Sequence, residues 1–143
     1  MEAVTDITAV AHVIQEAVAP VFLLTGIGAI LAVMSTRLSR VVDRFRVLEP
    51  LHGHERAAHT AEIATLQARA RWIHWAITLC TLCALLICVV IVVLFIGSET
   101  GEELSATIAV LFIAAMLALV AGLLCFLREI ALATNVISAR RAQ

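Results

Sequence analysis

Lysine and tyrosine are absent from this 143-residue chain, and charged residues make up only 15% of it. Hydrophobic residues make up 62%, whereas water-soluble domains average about 45–50% apolar and about 25% charged residues. The shortage of charge excludes an ordinary water-soluble domain and indicates a protein with several membrane spans. The length favours one membrane domain over residues 1–143.

Motifs for the common enzymatic sites are absent as well. The chain contains no phosphate-binding glycine loop, no serine–histidine–aspartate arrangement, no paired-carboxylate site and no zinc-protease helix motif. We therefore predict that the protein is not an enzyme and has no catalytic residues, no cofactor and no bound metal. Nothing in the sequence indicates nucleic-acid binding.

All four cysteines lie inside apolar runs, at Cys80, Cys83, Cys88 and Cys125. This placement argues against a secreted disulfide framework. Cys80 and Cys83 form a C-x-x-C pair, but no neighbouring group would activate their thiols. We therefore interpret both as small apolar residues, and a membrane thiol oxidoreductase ranks last among the functional hypotheses.

Three apolar runs without charged residues dominate the chain. About 20 apolar residues suffice to cross a hydrocarbon core of about 30 Å, and the runs predict spans at about 17–36, 73–96 and 104–127. Pro20 permits a kink or a new helix start within the first run. The predicted fold class is all-α integral membrane, with three transmembrane helices.

Helical spacing of apolar residues continues outside the first two spans. Val41 and Phe45 continue the helical pattern after span one, and Ile63 and Leu66 show the same pattern before span two. We predict that helices one and two extend as a stalk hairpin over 37–72. The turn contains Pro50 and Gly53, and the second arm starts near His54 or Glu55.

Arginine placement predicts the orientation. All ten arginines lie in the hairpin or the C-terminal segment, and the N-terminal segment and the loop at 97–105 contain none. Because arginine-rich loops remain in the cytoplasm, the N-terminus is predicted outside and the hairpin and C-terminus inside. The N-terminus is acidic, so we expect no cleaved signal peptide.

Three sequence stretches resemble a known family. They are QEAVAPVFLLTGIG at 15–28, TRLSRVVDR at 36–44 and FLREI at 126–130. Together they resemble a family of small bacterial three-span membrane proteins known only as a domain of unknown function. The resemblance covers nearly the whole chain and implies a protein of the bacterial inner (plasma) membrane. It implies no activity and no catalytic residues.

Charged residues cluster at the predicted cytoplasmic ends of helices one and three. The set comprises Arg37, Arg40, Asp43, Arg44, Arg128 and Glu129. An Asp43–Arg128 or a Glu129–Arg40 ion pair would tie helix one to helix three, within one subunit or between subunits. The arginines suit contact with anionic lipid headgroups equally well, and both roles are compatible.

Histidines at the predicted turn offer a weaker signal. His52, His54 and His59, with Glu55, are residue types that bind transition metals. The cluster lies at an exposed turn and no further ligand completes it, so we favour a solvated turn without a metal.

Small and polar residues in the spans form two further sets of candidates. Small residues at a spacing of four permit close helix packing: Gly28, Ala32, Ala114, Ala118 and Gly122. Polar residues in or near the spans are candidates for lining a pore: Glu16, Thr25, Thr78, Thr81 and Thr107. A threonine hydroxyl also bonds readily to its own helix, and a glutamate near a membrane surface extends to water.

Three helices alone bury little area, which predicts self-association into a dimer or a closed ring. The architecture is similar to the three-span subunits of bacterial biopolymer-transport and flagellar-stator proton channels, although no motif matches. Our first hypothesis is a homo-oligomeric, pore- or channel-forming protein. The alternative is a membrane scaffold that docks a protein partner, of unknown identity, through the hairpin.

Overall fold

The structure is a computed structural model that describes the backbone of residues 2–48, 60–100 and 104–141. It describes the side chains of residues 11–12, 14–47, 63–98 and 104–133. The chain forms helices α1 (Glu2–Leu48), α2 (Thr60–Thr100) and α3 (Ser105–Arg141). Within the described backbone every residue except Leu104 is helical, which confirms the all-α prediction.

Each helix is longer than a membrane is thick. At about 1.5 Å per residue the helices measure roughly 55–70 Å, against a hydrocarbon core of about 30 Å. The apolar stretches Ile14–Val47, Ile63–Ser98 and Ser105–Ala133 are long enough to cross a membrane. These stretches indicate a multi-pass membrane protein, and they contain the three predicted spans, except that Leu104 precedes α3.

Helix α1 continues through Pro20 without a new start. Proline removes the hydrogen bond to the carbonyl four residues earlier, but its ring is apolar and here it is buried. Pro20 therefore lies on the buried face of a continuous helix.

The helices pack through buried stripes whose residues lie three, four or seven positions apart. The stripe of α1 comprises Ala17, Pro20, Ile27, Met34 and Val41. The stripe of α2 comprises Leu66, Ile73, Ala76, Cys80, Cys83, Ile87 and Val90. The stripe of α3 comprises Ala115, Ala118, Gly122 and Glu129. A mean period of 3.5 residues is typical of left-handed helix packing.

Helix α2 lies between the other two helices and makes the main contacts with both. The main core cluster takes residues from all three helices, with Met34 from α1, Cys80 and Ile87 from α2, and Ala115 from α3. A second cluster joins Val41 of α1 to Leu66 and Ile73 of α2. The arms of the predicted hairpin therefore pack together, while its turn and the start of its second arm lie outside the described residues.

Small residues allow the closest approach between α2 and α3. A β-carbon added at Gly122 would lie 2.9 Å from Sγ of Cys80 and 3.3 Å from the carbonyl oxygen of Ala76. The predicted packing residues Ala118 and Gly122 are buried, but Ala114 is exposed and Ala115 takes its place. Adjacent helical residues point about 100° apart, so Ala114 misses the stripe.

The predicted packing residues of α1, unlike Ala118 and Gly122 of α3, are exposed. Gly28 and Ala32 face outward from the bundle, and no atom lies within 4 Å of a β-carbon added at Gly28. Among the described residues, the position of Gly28 is therefore open to a neighbour outside the chain.

Candidate functional site: a buried ion-pair cluster joining three helices

Glu129 is a buried carboxylate in the stripe of α3, with a side chain that is 0% exposed. Its Oε1 accepts hydrogen bonds from Nε and Nη2 of Arg69, at 3.1 and 2.8 Å. Its Oε2 accepts one from Nη1 of Arg37 at 3.4 Å. Because Arg37 lies on α1 and Arg69 on α2, one carboxylate joins all three helices.

Arg69 is the closer partner, and its position explains why. It lies on the stripe of α2, three residues after buried Leu66 and four before buried Ile73. Its side chain is 27% exposed, and its guanidinium reaches Glu129 with two donors. Hydrogen bonds between ionised groups are stronger than neutral ones, and such bonds are needed to offset the cost of removing a charge from water.

Arg37 contacts α3 at two points. Besides Glu129, its guanidinium carbon lies 5.3 Å from the centroid of the Phe126 ring, which is within the range of a cation–π contact. Its side chain remains 41% exposed. Arg37 therefore places a positive charge at the surface of the bundle while holding α1 against α3.

The cluster lies at one level of the bundle. Arg37 follows the predicted end of span one, Arg69 precedes the predicted start of span two, and Glu129 follows the predicted end of span three. Two arginines and one glutamate leave an excess of one positive charge. The carboxylate is enclosed, so this arrangement suits a structural tie rather than proton transfer to a substrate.

The sequence predicted two members of this cluster, Arg37 and Glu129, but with Arg40 as the partner of Glu129. The structure uses Arg37 instead, because Arg37 lies within about 60° of the line through Met34 and Val41, whereas Arg40 lies roughly 100° from it. Arg40 is exposed, as are Asp43, Arg44 and Arg128. The contacts of the described residues include no Asp43–Arg128 pair.

Sequence reasoning missed Arg69 altogether. Residues 66, 69, 73, 76 and 80 follow one three-and-four spacing. A charged residue on an otherwise apolar stripe was the available signal. Glu129 continues the α3 stripe from Gly122 in the same manner.

The predicted pore-lining residues are all exposed on the outside of the bundle. The hydroxyls of Thr25, Thr78 and Thr81 donate to carbonyls four residues earlier in their own helices, at 3.3, 2.9 and 2.8 Å. Thr107 is exposed, and Glu16 lies 3.1 Å from Nε2 of His12. These residues line no channel within one chain.

The other sequence candidates form no site in the described part of the chain. Cys80 and Cys83 are buried free thiols in the core, Cys88 is exposed and Cys125 is half-buried. No group of three potential metal ligands occurs among the described residues. The cluster from His52 to His59 lies outside them.

Two grooves are lined by residues that are close in sequence to members of the ion-pair cluster. One, of about 250 Å³, lies between the arms of α1 and α2 and is lined by Val41, Val42, Phe45, Leu66, Gln67 and Ala70. The other, of about 570 Å³, lies between α2 and α3 and is lined by Trp72, Leu124, Cys125, Leu127, Arg128 and Ala131. Both open sideways.

Comparison with known proteins gives a family but no activity. No curated protein and no solved structure matches the chain. A family model described as "Protein of unknown function (DUF2721)" matches residues 17–139. The matched region includes Arg37, Arg69 and Glu129 and covers most of the chain. The protein therefore belongs to the DUF2721 family.

Proposed function

We propose that this protein is a homo-oligomeric scaffold of the bacterial inner membrane that docks an acidic partner through a cytoplasmic helical hairpin. The N-terminus lies outside and the C-terminus inside. The observation that carries the docking proposal is the groove between the two arms, lined by Val41, Phe45 and Leu66 among others.

The orientation rests on arginine placement, since the hairpin and the C-terminal segment hold all ten arginines. A cysteine-free variant carrying either Ser39→Cys or Ser98→Cys tests it, because both serines are exposed and lie at opposite ends of the spans. In spheroplasts, a membrane-impermeant maleimide should label the Ser98→Cys protein at once and the Ser39→Cys protein only after permeabilisation. The opposite pattern would reverse the orientation.

The groove is suited to an amphipathic helix. Five of its six lining residues are apolar, and Val42 at its edge is 37% exposed. Apolar grooves of this kind bind the apolar face of a helix through residues three or four apart.

The charge of the residues around the groove indicates whether a partner should be acidic or basic. The described parts of the arms, 37–47 and 63–71, contain six arginines and one aspartate. Such an excess of positive charge favours acidic partners and repels basic ones. We therefore assign the groove to an acidic amphipathic segment of a cytoplasmic protein.

The ion-pair cluster supports a docking role because it fixes the base of the hairpin. Arg37 and Arg69 lie where the arms meet the spans, and both bind Glu129 of α3. A docking surface held on a rigid base loses less conformational freedom when a partner binds.

The direct test uses a designed probe. Two labelled amphipathic peptides, with the same leucine face and either glutamate or lysine on the other face, are titrated against the protein in nanodiscs. We expect the glutamate peptide to bind at least about tenfold more tightly, and Phe45→Glu to remove that preference because it places an anion in the groove.

The matched control is Ser98→Glu, which adds the same charge at the far end of α2 and should leave peptide binding unchanged. Equal binding of both peptides would contradict the proposal, as would unchanged binding after Phe45→Glu. In cells, a photo-cross-linker at Val42 should then give a product that Phe45→Glu abolishes, whereas the same probe at Ser98 should not.

A second candidate function is a homo-oligomeric channel. The outward positions of Thr25, Gly28 and Ala32 on α1 favour it, since all three are exposed and nothing lies within 4 Å of a β-carbon added at Gly28. Small residues permit close approach between helices of neighbouring subunits. Any pore would have to lie between several copies.

Mass measurement in mild detergent and ion flux in liposomes separate the two candidates. A channel predicts a ring of defined size and flux above that of empty liposomes. A scaffold predicts peptide binding without flux. A monomer that carries no ions would contradict the channel, and a monomer of any kind would contradict the oligomeric part of the scaffold proposal.

A further inference from the structure

The groove between α2 and α3 has a composition that the docking proposal does not explain. Leu124 and Leu127 on its α3 side are 59% and 61% exposed, so its wall faces outward from the bundle. Both lie in a stretch that is apolar enough to cross a membrane. The natural occupant of such a groove is a molecule of the bilayer.

A single arginine adds charge to this apolar groove. Arg128 lines it and is exposed. The neighbouring carboxylate of Glu129 is already bound by Arg37 and Arg69, and no acidic side chain among the described residues pairs with Arg128. A guanidinium at the edge of hydrocarbon without an anion is costly, so an anionic group here is favourable.

The order of residues along α3 gives the direction of the occupant. Leu124 lies one turn, about 6 Å, deeper in the predicted span than Arg128. Trp72 lines the opposite wall, and tryptophan is enriched at the level of lipid headgroups. An apolar chain would thus extend toward the membrane centre from an anionic head at Arg128.

We propose that this groove binds one anionic phospholipid, with its phosphate at Arg128 and an acyl chain against Leu124 and Leu127. Arg128 acts here as a headgroup ligand, and Trp72 packs beside the upper part of the acyl chain. The inference requires membrane insertion but not partner docking on the hairpin, so the two proposals fail independently.

Quenching of tryptophan by brominated lipid tests the site. The chain has two tryptophans, and Trp75→Phe leaves Trp72 as the reporter. In liposomes of phosphatidylcholine and phosphatidylglycerol, one lipid at a time carries bromine on its acyl chains. We expect brominated phosphatidylglycerol to associate with Trp72 about fivefold more strongly, since one arginine near an anionic lipid contributes about 1 kcal/mol.

Variants at two arginines then distinguish lipid binding in the groove from a general attraction between the arginines of the protein and anionic lipid. Arg128→Gln should reduce the preference to about one, and Arg128→Lys should retain most of it. Arg40→Gln removes the same charge from an exposed position on α1 and should leave the preference intact. The helical content of each variant, measured by circular dichroism, checks that it folds.

Three results would overturn the proposal. Equal quenching by the two brominated lipids would mean that the groove holds acyl chains without headgroup selection. An unchanged preference after Arg128→Gln would place the anion elsewhere. A Trp72 shielded from both lipids would assign the groove to a second copy of the chain.

Discussion

The carboxylate of Glu129 accepts hydrogen bonds from arginines on two different helices. Removing one partner of a buried ion pair leaves the other charges uncompensated, which costs more than the pair itself contributes. The cluster is therefore the position at which a single polar substitution should have the largest effect on this fold.

Replacing Glu129 tests that expectation. Glu129→Gln keeps the size of the side chain but leaves Arg37 and Arg69 facing a neutral amide. We expect the free energy of unfolding to fall by about 3 kcal/mol, at the lower end of the range for buried pairs because Arg37 is 41% exposed. Unfolding by a denaturing detergent, followed by circular dichroism, measures the loss.

The control for this experiment is Arg40→Gln, at an exposed position of α1. It should change the free energy of unfolding by less than about 0.5 kcal/mol. A comparable loss in both variants would mean that the cluster contributes no more than an ordinary surface charge.

The two arginines should not be equivalent. Arg69 donates two hydrogen bonds at 3.1 and 2.8 Å and is 27% exposed, whereas Arg37 donates one at 3.4 Å. We expect Arg69→Gln to destabilise the protein more than Arg37→Gln, by roughly 1 kcal/mol, since shorter and more buried charged contacts are stronger. Denaturation curves of the two variants, measured side by side, show which loses more stability. A larger loss in Arg37→Gln would contradict the geometry.

At this scale the sequence predicted that Glu129 would pair with an arginine of α1, but it did not predict which arginine. The choice of Arg37 over Arg40 depends on the angle at which α1 faces α3, which a one-dimensional pattern does not contain. Arg69 was missed because a charged residue is usually exposed, but its spacing from Leu66 and Ile73 places it on the buried stripe.

At the scale of the helices, the contact of α2 with α3 depends on a glycine. A methyl group at position 122 would come within 2.9 Å of Sγ of Cys80. We expect Gly122→Ala to destabilise the bundle by about 1–3 kcal/mol, because overpacking a close helix contact forces the backbones apart. Thermal unfolding in detergent measures it.

A second substitution distinguishes this clash from other effects of the new methyl group. Cys80→Ala in the Gly122→Ala background removes the nearest atom and should restore part of the loss. No recovery would place the strain at the Ala76 carbonyl, which lies 3.3 Å from the added β-carbon.

Gly28→Ala is the matched control on α1, where nothing lies within 4 Å of the added β-carbon. Alanine has a higher helix propensity, so we expect the stability of one chain to stay constant or rise by up to about 1 kcal/mol. If α1 joins copies of the chain, the same variant should lower the oligomer fraction in sedimentation experiments.

The positions of the helices and their apolar character could be predicted from the sequence, because charge-free runs and helical spacing are local properties. The packing face of α3 could be predicted only in part. The small residues Ala118 and Gly122 are buried, but the choice between Ala114 and Ala115 depends on which side α2 occupies.

At the scale of the whole molecule, the buried residues form two packing clusters, one mainly in the hairpin arms and one in the spans, and Ile77 packs against both. Leu66 belongs to the cluster of the arms, whereas Cys80 and Ile87 belong to the cluster of the spans. Leu66→Ala should lower local stability by about 2 kcal/mol and accelerate amide hydrogen exchange about 30-fold at 38–47 and 63–70. Exchange at 76–91 should stay unchanged.

The control is Leu82→Ala, which removes an exposed leucine from the span of α2 and should leave exchange in the arms unaltered. Uniform acceleration along α2 would show instead that arms and spans unfold as one unit.

The three-and-four spacing of the buried stripes has one more consequence. Because apolar residues recur every seven positions, sliding one helix by seven residues, or about 10 Å, would again bring apolar groups against each other. Apolar packing alone therefore leaves the axial register of the helices weakly determined. Only one register places Arg37 and Arg69 beside Glu129. The buried carboxylate therefore determines the axial register in which the three helices assemble during insertion.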